Sequence, residues 1–373
     1  MSREVYLVAT AAVSPFGLGA AALCAGLRGE VAASASTLLA ASHPGARAIG
    51  VAAVPAAHDP VPAKARKTMS RAAYLGAIAL RALVEAGGWR QRDGVGYFLG
   101  VGASGGSMAD LEAILAATLG GGDRGDDGGR DGHDGGDGGF DLRRFGEAGI
   151  PACNPLLAFQ LMNNFTMCHG AILEGTTGPS GAFFSRGAGT VAALVEAREA
   201  IAAGDCERAI AGGADSALHP VTWVEHQRLA DAPVRLPASE GAALLALAAA
   251  PGDGAAIVVE AAEQVTRADD PAARAARLVR TADGGCDVVV VGADDPGQRD
   301  ALMAAICGSG AGSRSEALTL DAVGSCLAAT PALGWVAALE RLRAGGRRAA
   351  VVTLDGAGDL AVVVFARRDG GGA

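Results

Sequence analysis

Residues 178–204 read GPSGAFFSRGAGTVAALVEAREAIAAG, and this stretch decides the fold class. A short apolar run, AFFS, breaks into small residues and is followed at once by a helix pattern of Ala, Val, Leu and Glu that stops at a glycine. The pattern predicts a strand, a tight turn and a helix. The residues ERAIAGGADS (207–216) predict a second strand, which completes a β-α-β unit.

The same design occurs a second time in the chain. Residues 316–359, EALTLDAVGSCLAATPALGWVAALERLRAGGRRAAVVTLDGAGD, again pass from a strand through a small-residue turn into a long helix, a glycine stop and a strand. A β-α-β unit that occurs twice predicts an internally duplicated α/β fold. Because both helices begin at a small-residue turn, we expect the two turns to face one common pocket.

The composition narrows the class of protein. Half of the 373 residues are apolar but only 4% are aromatic, so the core must consist of small aliphatic side chains. A net charge of −9 argues against a nucleic-acid partner. Charged residues, Gly and Pro interrupt every apolar run, so we expect no membrane-spanning segment and no membrane partner. The N-terminus lacks the pattern of a signal peptide, so we expect a cytoplasmic protein.

Neither the cysteines nor the acidic residues form a pattern typical of a metal site. The seven cysteines are scattered without a CxxC pair, which predicts reduced thiols and neither a zinc site nor a disulfide framework. The Gly/Asp-rich residues 120–139 predict a disordered loop, without the ligand spacing of a calcium site. We therefore expect no metal and no cofactor. Downstream, Asn154-Pro155 predicts the start of one helix through LLAFQLMNNFTMCHG (156–170).

Four segments together resemble the β-ketoacyl synthase family of the thiolase superfamily. They are VYLVATAAVSPFGLG (5–19), the unit at 178–216, SEGAALLAL (239–247) and GAGDLAVVVF (356–365). The resemblance covers nearly the whole chain. It implies an α/β, thiolase-like fold of two duplicated α-β-α halves, layered αβαβα. We expect an N-terminal half at 1–250, which includes the loop at 120–139, and a C-terminal half at 251–373.

The resemblance also implies where a catalytic site would lie. Active members hold the acyl chain on an elbow cysteine as a thioester, and two histidines stabilise the enolate formed by decarboxylation. The matching position for the cysteine is Gly187, those for the histidines are Gly292 and Ser325, and that for an accompanying lysine is Leu320. None of these side chains can perform the family's chemistry, so we expect the catalytic site to have been lost.

Three further positions follow from the same comparison with the family. The gating phenylalanine of the closing turn is replaced by Ala357, and Asp300 matches the family's downstream aspartate. Glu240, in the SEGA segment, matches a glutamate that is structural in the family.

A family member that has lost its catalytic residues resembles the chain length factor. This is the non-catalytic partner of an active ketosynthase in type II polyketide, polyene or fatty-acid-like biosynthesis. The resemblance implies a heterodimer that acts on acyl-carrier-protein thioesters as a 3-oxoacyl synthase, with a shared tunnel for the growing chain. Candidate tunnel and interface residues are Ser107, Asp110, Ile114, His169, Phe183 and Phe184. An aspartate in an apolar tunnel is costly unless it has a partner.

Two alternatives remain open from the residues. An acyltransferase or hydrolase would use Ser185 or Cys326 as its nucleophile. The surroundings of Ser185 do not match G-x-S-x-G, so it also reads as a strand-end or helix-capping serine. Cys326 stands at a helix start that would lower the pKa of its thiol, or it is a small core residue. The other alternative is a self-paired scaffold with no acyl role.

Nearby polar residues also have two interpretations each. His219 and His226 flank Trp223 and supply either a base for Ser185 or packing at a surface or interface. Arg186 is either a contact for a carrier protein or phosphate, or an exposed arginine at a helix start. His169 reads more readily as a structural histidine than as a base.

Overall fold

The strands form one mixed sheet with helices packed against its faces. The computed structural model describes residues 3–40, 43–52, 54–103, 105, 108–119, 140–229, 236–252, 254–280, 285–308 and 315–368. The predicted loop at 120–139 and the tunnel candidate Ser107 lie outside the described residues.

The strands are short and mostly buried. They are β1 (Tyr6–Ser14), β2 (Gly17–Leu18), β3 (Gly96–Val101), β4 (Ser180–Phe184), β5 (Arg208–Ser216), β6 (Glu240–Ala248), β7 (Ile257–Val265), β8 (Val288–Ala293), β9 (Glu316–Thr319), β10 (Arg348–Leu354) and β11 (Leu360–Arg367). Their order in the sheet is β4-β3-β5-β6-β1-β7-β11-β10-β8-β9, and β2 pairs with β1 alone.

Helices of very different length connect these strands. They are α1 (Gly19–Leu27), α2 (Ala63–Arg66), α3 (Arg71–Ala86), α4 (Met108–Leu119), α5 (Leu142–Arg144), α6 (Ile150–Ala152), α7 (Leu157–Leu161), α8 (Phe165–Glu174), α9 (Arg186–Ala203), α10 (Pro220–Leu229), α11 (Pro271–Arg280), α12 (Pro296–Cys307) and α13 (Thr330–Arg343). A π-helical turn, Phe145–Gly149, joins α5 to α6, and short 3₁₀ turns occur at Ala56–His58, Asp321–Val323 and Leu327–Ala329.

The sheet shows the internal duplication that the two β-α-β patterns predict. From β4 to β1 the pairings are parallel, parallel, antiparallel and antiparallel. From β9 to β7 they follow the same sequence. The two halves meet where β1 pairs with β7, through Tyr6 opposite Val258 and Leu7 opposite Ile257. The expected boundary at 250/251 falls between β6 and β7 and stays a prediction.

Three hydrophobic clusters explain the layers. Helices α9 and α13 contact each other and strands of both halves, and their side chains fill the central cluster. Helix α3 covers the outer face of the first half, and α11 and α12 cover the outer face of the second. The result is the αβαβα layering, in which two central helices of Ala, Val, Leu and Gly are narrow enough to lie between the two halves of the sheet.

A serine cap begins helix α3, and a glycine stop ends helix α9. The Ser70 hydroxyl accepts a hydrogen bond from the Ala73 N–H at 3.2 Å, which caps α3. Helix α9 ends at Gly204, whose φ of 86° places it in the left-handed region.

One predicted helix is divided in the structure. The single helix expected to run from Asn154-Pro155 through 156–170 is two helices, α7 and α8, because Met162 adopts an extended conformation and the two asparagines that follow favour a turn. The prediction of one continuous helix was therefore wrong.

Candidate functional site

The turns that begin α9 and α13 face one pocket, as the duplicated pattern predicts. Its empty space, including the part open to solvent, is about 450 Å³. The ends of β8 and β10, the closing turn at 355–359 and the starts of α9 and α13 supply its walls. Arg186 and Leu327, one from each turn, line it with positive φ angles of 44° and 49°. Non-glycine residues seldom adopt this conformation, and such strain is concentrated at functional sites.

Buried polar side chains hold the two turns against each other. The Thr190 hydroxyl in α9 donates to the Ala328 carbonyl oxygen at 2.5 Å. The Ala328 N–H donates to Oδ2 of Asp215, at the end of β5, at 3.1 Å. A buried carboxylate and a buried hydroxyl thus fix the turn before α13 from the first half of the protein, so that the two halves build the pocket as a unit.

Three of the four residues matched to catalytic positions line this pocket: Gly187, Gly292 and Leu320. A Cβ on Gly292 would lie 2.9 Å from Cδ1 of Leu320, and one on Gly187 would lie 3.1 Å from Cγ of Pro331. Neighbouring apolar side chains therefore occupy the space in which larger side chains at these positions would stand. Among the described residues that line the pocket there is no cysteine and no histidine.

The fourth matched residue, Ser325, lies directly behind the pocket wall. Its hydroxyl donates to Oδ1 of Asp294 at 2.6 Å, and both residues are buried. Oδ2 of Asp294 accepts a hydrogen bond from the Gly356 N–H at 2.9 Å. Asp294 therefore joins the turn before α13 to the closing turn between β10 and β11, which is a structural role.

Asp355 shapes the closing turn itself. Its Oδ1 accepts hydrogen bonds from the N–H groups of Ala357 at 2.9 Å and Asp359 at 3.0 Å. Burial raises the pKa of the Asp355 carboxyl to about 6, against the lowering effect of these backbone donors. Ala357, matched to the gating phenylalanine, stands in this turn as a small side chain.

The structure separates the two candidate nucleophiles from the pocket. Ser185 occupies the N-cap position of α9, but its side chain makes no capping hydrogen bond and is exposed to solvent. Cys326 is fully buried, and desolvation strongly raises the pKa of its thiol. Of the two interpretations of Cys326, the small core residue agrees with this burial, and the lowered pKa does not, because loss of hydration outweighs the helix dipole at a buried thiol.

The remaining polar candidates, where the structure describes them, lie outside the residues that line the pocket. The rings of Trp223 and His43 lie 4.4 Å apart between their centroids. The His219 ring packs where a Cβ on Gly105 would lie, at 2.5 Å from Cδ2. The side chain of His226 lies outside the described part of the structure. Asp300 is an exposed residue of α12 that pairs with Arg299 at 2.6 Å.

Arg186 differs from its sequence interpretation. One of its two interpretations was an exposed arginine at a helix start, whereas the structure shows a half-buried residue that lines the pocket. The positive φ at residue 186 turns the chain sharply between β4 and α9. This backbone conformation cannot be predicted from the residue types alone.

Comparison with known proteins places these features in a family. The model of the β-ketoacyl synthase N-terminal domain matches residues 30–264, which is more than half of the chain. The chain belongs to the β-ketoacyl synthase family. A search of the curated proteins by sequence found no match.

Solved structures of ketosynthases share the fold of this family member. The ishigamide ketosynthase/chain length factor is 16% identical, with a TM-score of 0.74 and coverage of 99% of this chain and 100% of that one. AntDE:AntF, a type II PKS acyl-carrier protein in complex with its ketosynthase, is 13% identical at a TM-score of 0.70 with the same coverage. A β-ketoacyl synthase from Burkholderia phymatum STM815 is 18% identical, with a TM-score of 0.70 and coverage of 99% of this chain and 100% of that one.

The tunnel candidates that the structure describes lie outside the residues that line the pocket. Asp110 in α4 is half-buried, and its Oδ2 accepts a long hydrogen bond from Nδ2 of Asn154 at 3.5 Å. Ile114 is half-buried one turn later. Nε2 of His169 lies 3.1 Å from the Thr68 carbonyl oxygen, and burial lowers the pKa of the imidazole. His169 is therefore a hydrogen-bonded structural histidine in this chain.

Phe183 and Phe184 stand at the end of the edge strand β4. Phe183 packs partly against the central core, whereas Phe184 is 62% exposed. Large apolar side chains are also exposed on α7, α8 and the segment between them. The exposed large apolar residues of this region are here called the apolar surface: Phe159, Leu161, Met162, Ile172 and Phe184. Sequence analysis identified only Phe184 among them, because helical periodicity does not show which face a neighbouring element leaves uncovered.

The described residues were compared with the requirements of a membrane-spanning helix and of a metal-binding cluster. None of the helices resolved there combines the length and the apolar character needed to span a bilayer. No three or more His, Cys, Asp or Glu side chains in the same part of the chain are grouped so as to hold a metal ion.

Proposed function

We propose that this chain is a non-catalytic ketosynthase-like subunit of the chain length factor type. It pairs with an active β-ketoacyl synthase in type II polyketide, polyene or fatty-acid-like biosynthesis and shapes the tunnel for the acyl chain. The observation that carries the proposal is the pocket at the starts of α9 and α13. The residues matched to the catalytic positions meet there or directly behind it, and its described lining offers neither a thiol nor an imidazole.

The surface of the first half supports a protein partner. The order of the described strands begins at β4, which pairs with β3 on one side only. The apolar surface lies on β4 and on the two preceding helices, and Ile172 within it is 77% exposed. An open strand edge beside exposed apolar side chains is a liability for a lone protein and is typical of an interface. We assign this face to the ketosynthase partner.

A basic segment supports the acyl carrier protein as the second partner. The only two lysines of the chain, Lys64 and Lys67, stand together with Arg66 and Arg71 in a protein whose net charge is −9. Arg66 pairs with Asp59 and Arg71 with Glu240, whereas both lysines are exposed. An acidic carrier-protein surface would be attracted to this segment.

Two solved structures give the proposal its precedent. One is a pair of a ketosynthase with a chain length factor, and one is an acyl-carrier protein in complex with its ketosynthase. Both have the fold of this chain.

The decisive experiment is co-expression with the ketosynthase encoded by an adjacent gene, with an affinity tag on that ketosynthase alone. We expect a 1:1 complex in size-exclusion chromatography. Ile172→Glu and Phe184→Glu should each abolish co-purification, because a carboxylate at the centre of an interface is left desolvated. Leu38→Glu, at an exposed leucine outside the apolar surface, is the matched control and should leave the complex intact. A chain that stays alone with every such ketosynthase would overturn the proposal.

The tunnel role has its own test in the reconstituted complex. Ile114→Trp should shorten the longest acyl product seen by mass spectrometry, because the larger side chain removes volume from the tunnel. Leu115→Trp, at the next and more exposed position of α4, is the control. Unchanged product lengths for Ile114→Trp would remove residue 114 from the tunnel.

The enzyme alternative is weaker on geometry. Ser185 is exposed and Cys326 is fully buried, and neither lines the pocket. Labelling of either residue by a fluorophosphonate or thioester probe on the folded chain would favour that alternative over the proposal.

A further inference from the structure

Helix α11 carries three arginines at intervals of three residues, Arg274, Arg277 and Arg280. Residues three apart are neighbours on a helix surface, so the three guanidinium groups follow one side of α11, while its buried residues are apolar. The helix dipole favours cations in the last turn, where Arg277 and Arg280 stand, but neighbouring like charges repel each other. An anion bound between them would remove this repulsion.

The three arginines line a groove beside α11. Its empty space, including the part open to solvent, is about 1000 Å³. The end of β7 and the loop between β7 and α11 complete the lining, with the apolar side chains of Val265 and Ala268. A concave wall of low dielectric constant strengthens the field of the charges that line it. The guanidinium groups are therefore placed to act on a ligand inside the groove.

The positive charges of the groove are only partly compensated. Arg274 is half-buried and pairs with Glu263 of β7. Arg277 and Arg280 are exposed, and no other residue in the described part of the chain makes an ion pair or a side-chain hydrogen bond with either of them. Two cations thus remain available to a ligand, in a protein whose net charge is −9.

Two carboxylates also line the groove, those of Asp269 and Asp270. Asp270 stabilises the start of α11, because its Oδ1 accepts a hydrogen bond from the Ala273 N–H at 2.9 Å. Asp269 is exposed. With Arg274 paired to Glu263 and Asp270 held at the helix start, two cations stand against one carboxylate, so the groove keeps an excess of positive charge.

We propose that this groove binds a compact polyanion, such as a diphosphate group, between Arg277 and Arg280. Guanidinium groups bind phosphate through paired N–H donors. The two arginines are about 4.5 Å apart along the helix axis, so that two neighbouring anionic groups can each face one of them. A groove favours a small ligand over a protein surface. The site belongs to the outer face of the second half, and it does not depend on the proposed function.

Isothermal titration of the full chain with sodium diphosphate at low ionic strength is the first test. We expect saturable 1:1 binding to the wild type and at least fivefold weaker binding to Arg277→Gln and to Arg280→Gln. Arg90→Gln is the matched control, because Arg90 is an exposed arginine of the first half, and it should leave the affinity unchanged. Absence of binding to the wild type, or equal affinities of Arg277→Gln and the wild type, would overturn the proposal.

Two further titrations locate the anion and define its size. Asp269→Asn should tighten diphosphate binding at least twofold, because it removes a carboxylate that repels the ligand. Inorganic phosphate should bind at least tenfold more weakly than diphosphate, since a single anionic group meets a single arginine. Unchanged affinity of Asp269→Asn would place the anion elsewhere, and phosphate binding as tight as that of diphosphate would reject a site shared by two arginines.

A protein partner is the rival occupant of this row of arginines. Binding of an acidic carrier protein that is lost in Arg277→Gln, by a chain that does not bind diphosphate, would assign the arginines to that partner and overturn the small-ligand site. All of these titrations use the chain without a ketosynthase, so their outcome is independent of whether the chain pairs with one.

Discussion

The buried Ser325 hydroxyl donates a hydrogen bond to Oδ1 of the buried Asp294 carboxylate, at an oxygen–oxygen distance of 2.6 Å. Ser325 stands at the position matched to a catalytic histidine, and the bond gives that position a structural role. It joins the turn before α13 to the end of β8. The residues matched to the catalytic positions therefore contribute to packing and to turn geometry.

We expect Ser325→Ala to lower the free energy of unfolding by about 1–3 kcal/mol, because the buried Asp294 carboxylate loses the hydrogen bond that this hydroxyl donates. Urea denaturation measures the change. Ser185→Ala removes an exposed hydroxyl that makes no capping bond, and should change stability by less than about 0.5 kcal/mol. Equal effects of the two substitutions would contradict a structural role for Ser325.

The stability of the protein should depend on the protonation of Asp355. Its pKa is about 6 in the folded chain, above the value of about 4 in an unfolded chain. The folded state therefore holds this proton more tightly, so that the contribution of Asp355 to stability is fully present below pH 4 and is lost as the pH rises through 6. A raised pKa of this size corresponds to as much as about 3 kcal/mol.

Asp355→Asn should abolish this part of the pH dependence. The amide oxygen can still accept the hydrogen bonds from Ala357 and Asp359, and it carries no charge to desolvate. Chemical denaturation at a series of pH values from 4 to 8 measures how the free energy of unfolding changes with pH, which is the slope compared here. Asp300→Asn, at an exposed carboxylate, should leave the slope as in the wild type. A slope that survives Asp355→Asn would assign the effect to another group.

Cys326 should be inert toward alkylating reagents while the protein is folded. Its thiol is fully buried and its pKa is strongly raised, so almost no thiolate is present at pH 8. Peptide mass spectrometry after iodoacetamide treatment should show the half-buried cysteines labelled first, namely Cys24, Cys153, Cys168 and Cys307. Labelling of Cys326 in denaturant is the positive control, and rapid labelling without denaturant would refute its burial.

Arg71 should contribute to stability through Glu240. The buried Glu240 carboxylate accepts hydrogen bonds from the Arg71 guanidinium at 2.6 and 2.9 Å, from the Val51 N–H and from the Ser216 hydroxyl. Arg71→Met leaves that charge without its cation, which should cost about 2 kcal/mol or more, since partial exposure of Arg71 moderates the penalty. Arg3→Met breaks an exposed pair with Glu207 and should cost less than about 1 kcal/mol in the same urea titration.

Individual elements show how far the sequence predicts the fold. The pattern of 178–216 correctly predicts β4, α9 and β5, and its repetition at 316–359 predicts β9, α13 and β10, because apolar periodicity and glycine stops are local signals. The segment 156–170 was predicted as one helix and is two, because its apolar residues suggest a continuous helix whereas the extended Met162 and the turn-favouring Asn163 and Asn164 interrupt it.

The candidate site follows from sequence only in part. The segments that carry Gly187, Gly292 and Leu320 are recognisable along the chain, and the structure brings these residues together around one pocket. The roles of Asp294 and Asp355 were missed, because each depends on a hydrogen bond to a turn distant in sequence or on burial. The Asp294-Asp295-Pro296 run indicates only a helix start, and Asp295 does cap α12.

The sequence by itself determined the family and the duplicated α/β design, since these depend on residue identity and local periodicity, and it predicts that the family's thiol and imidazoles are missing. Only the tertiary structure decided that Arg186 is strained and lies in the pocket, that Cys326 is a buried core thiol, and that the apolar surface is exposed beside the edge strand β4. Backbone strain, desolvation and surface exposure are set by residues far apart in the chain that meet only when it is folded.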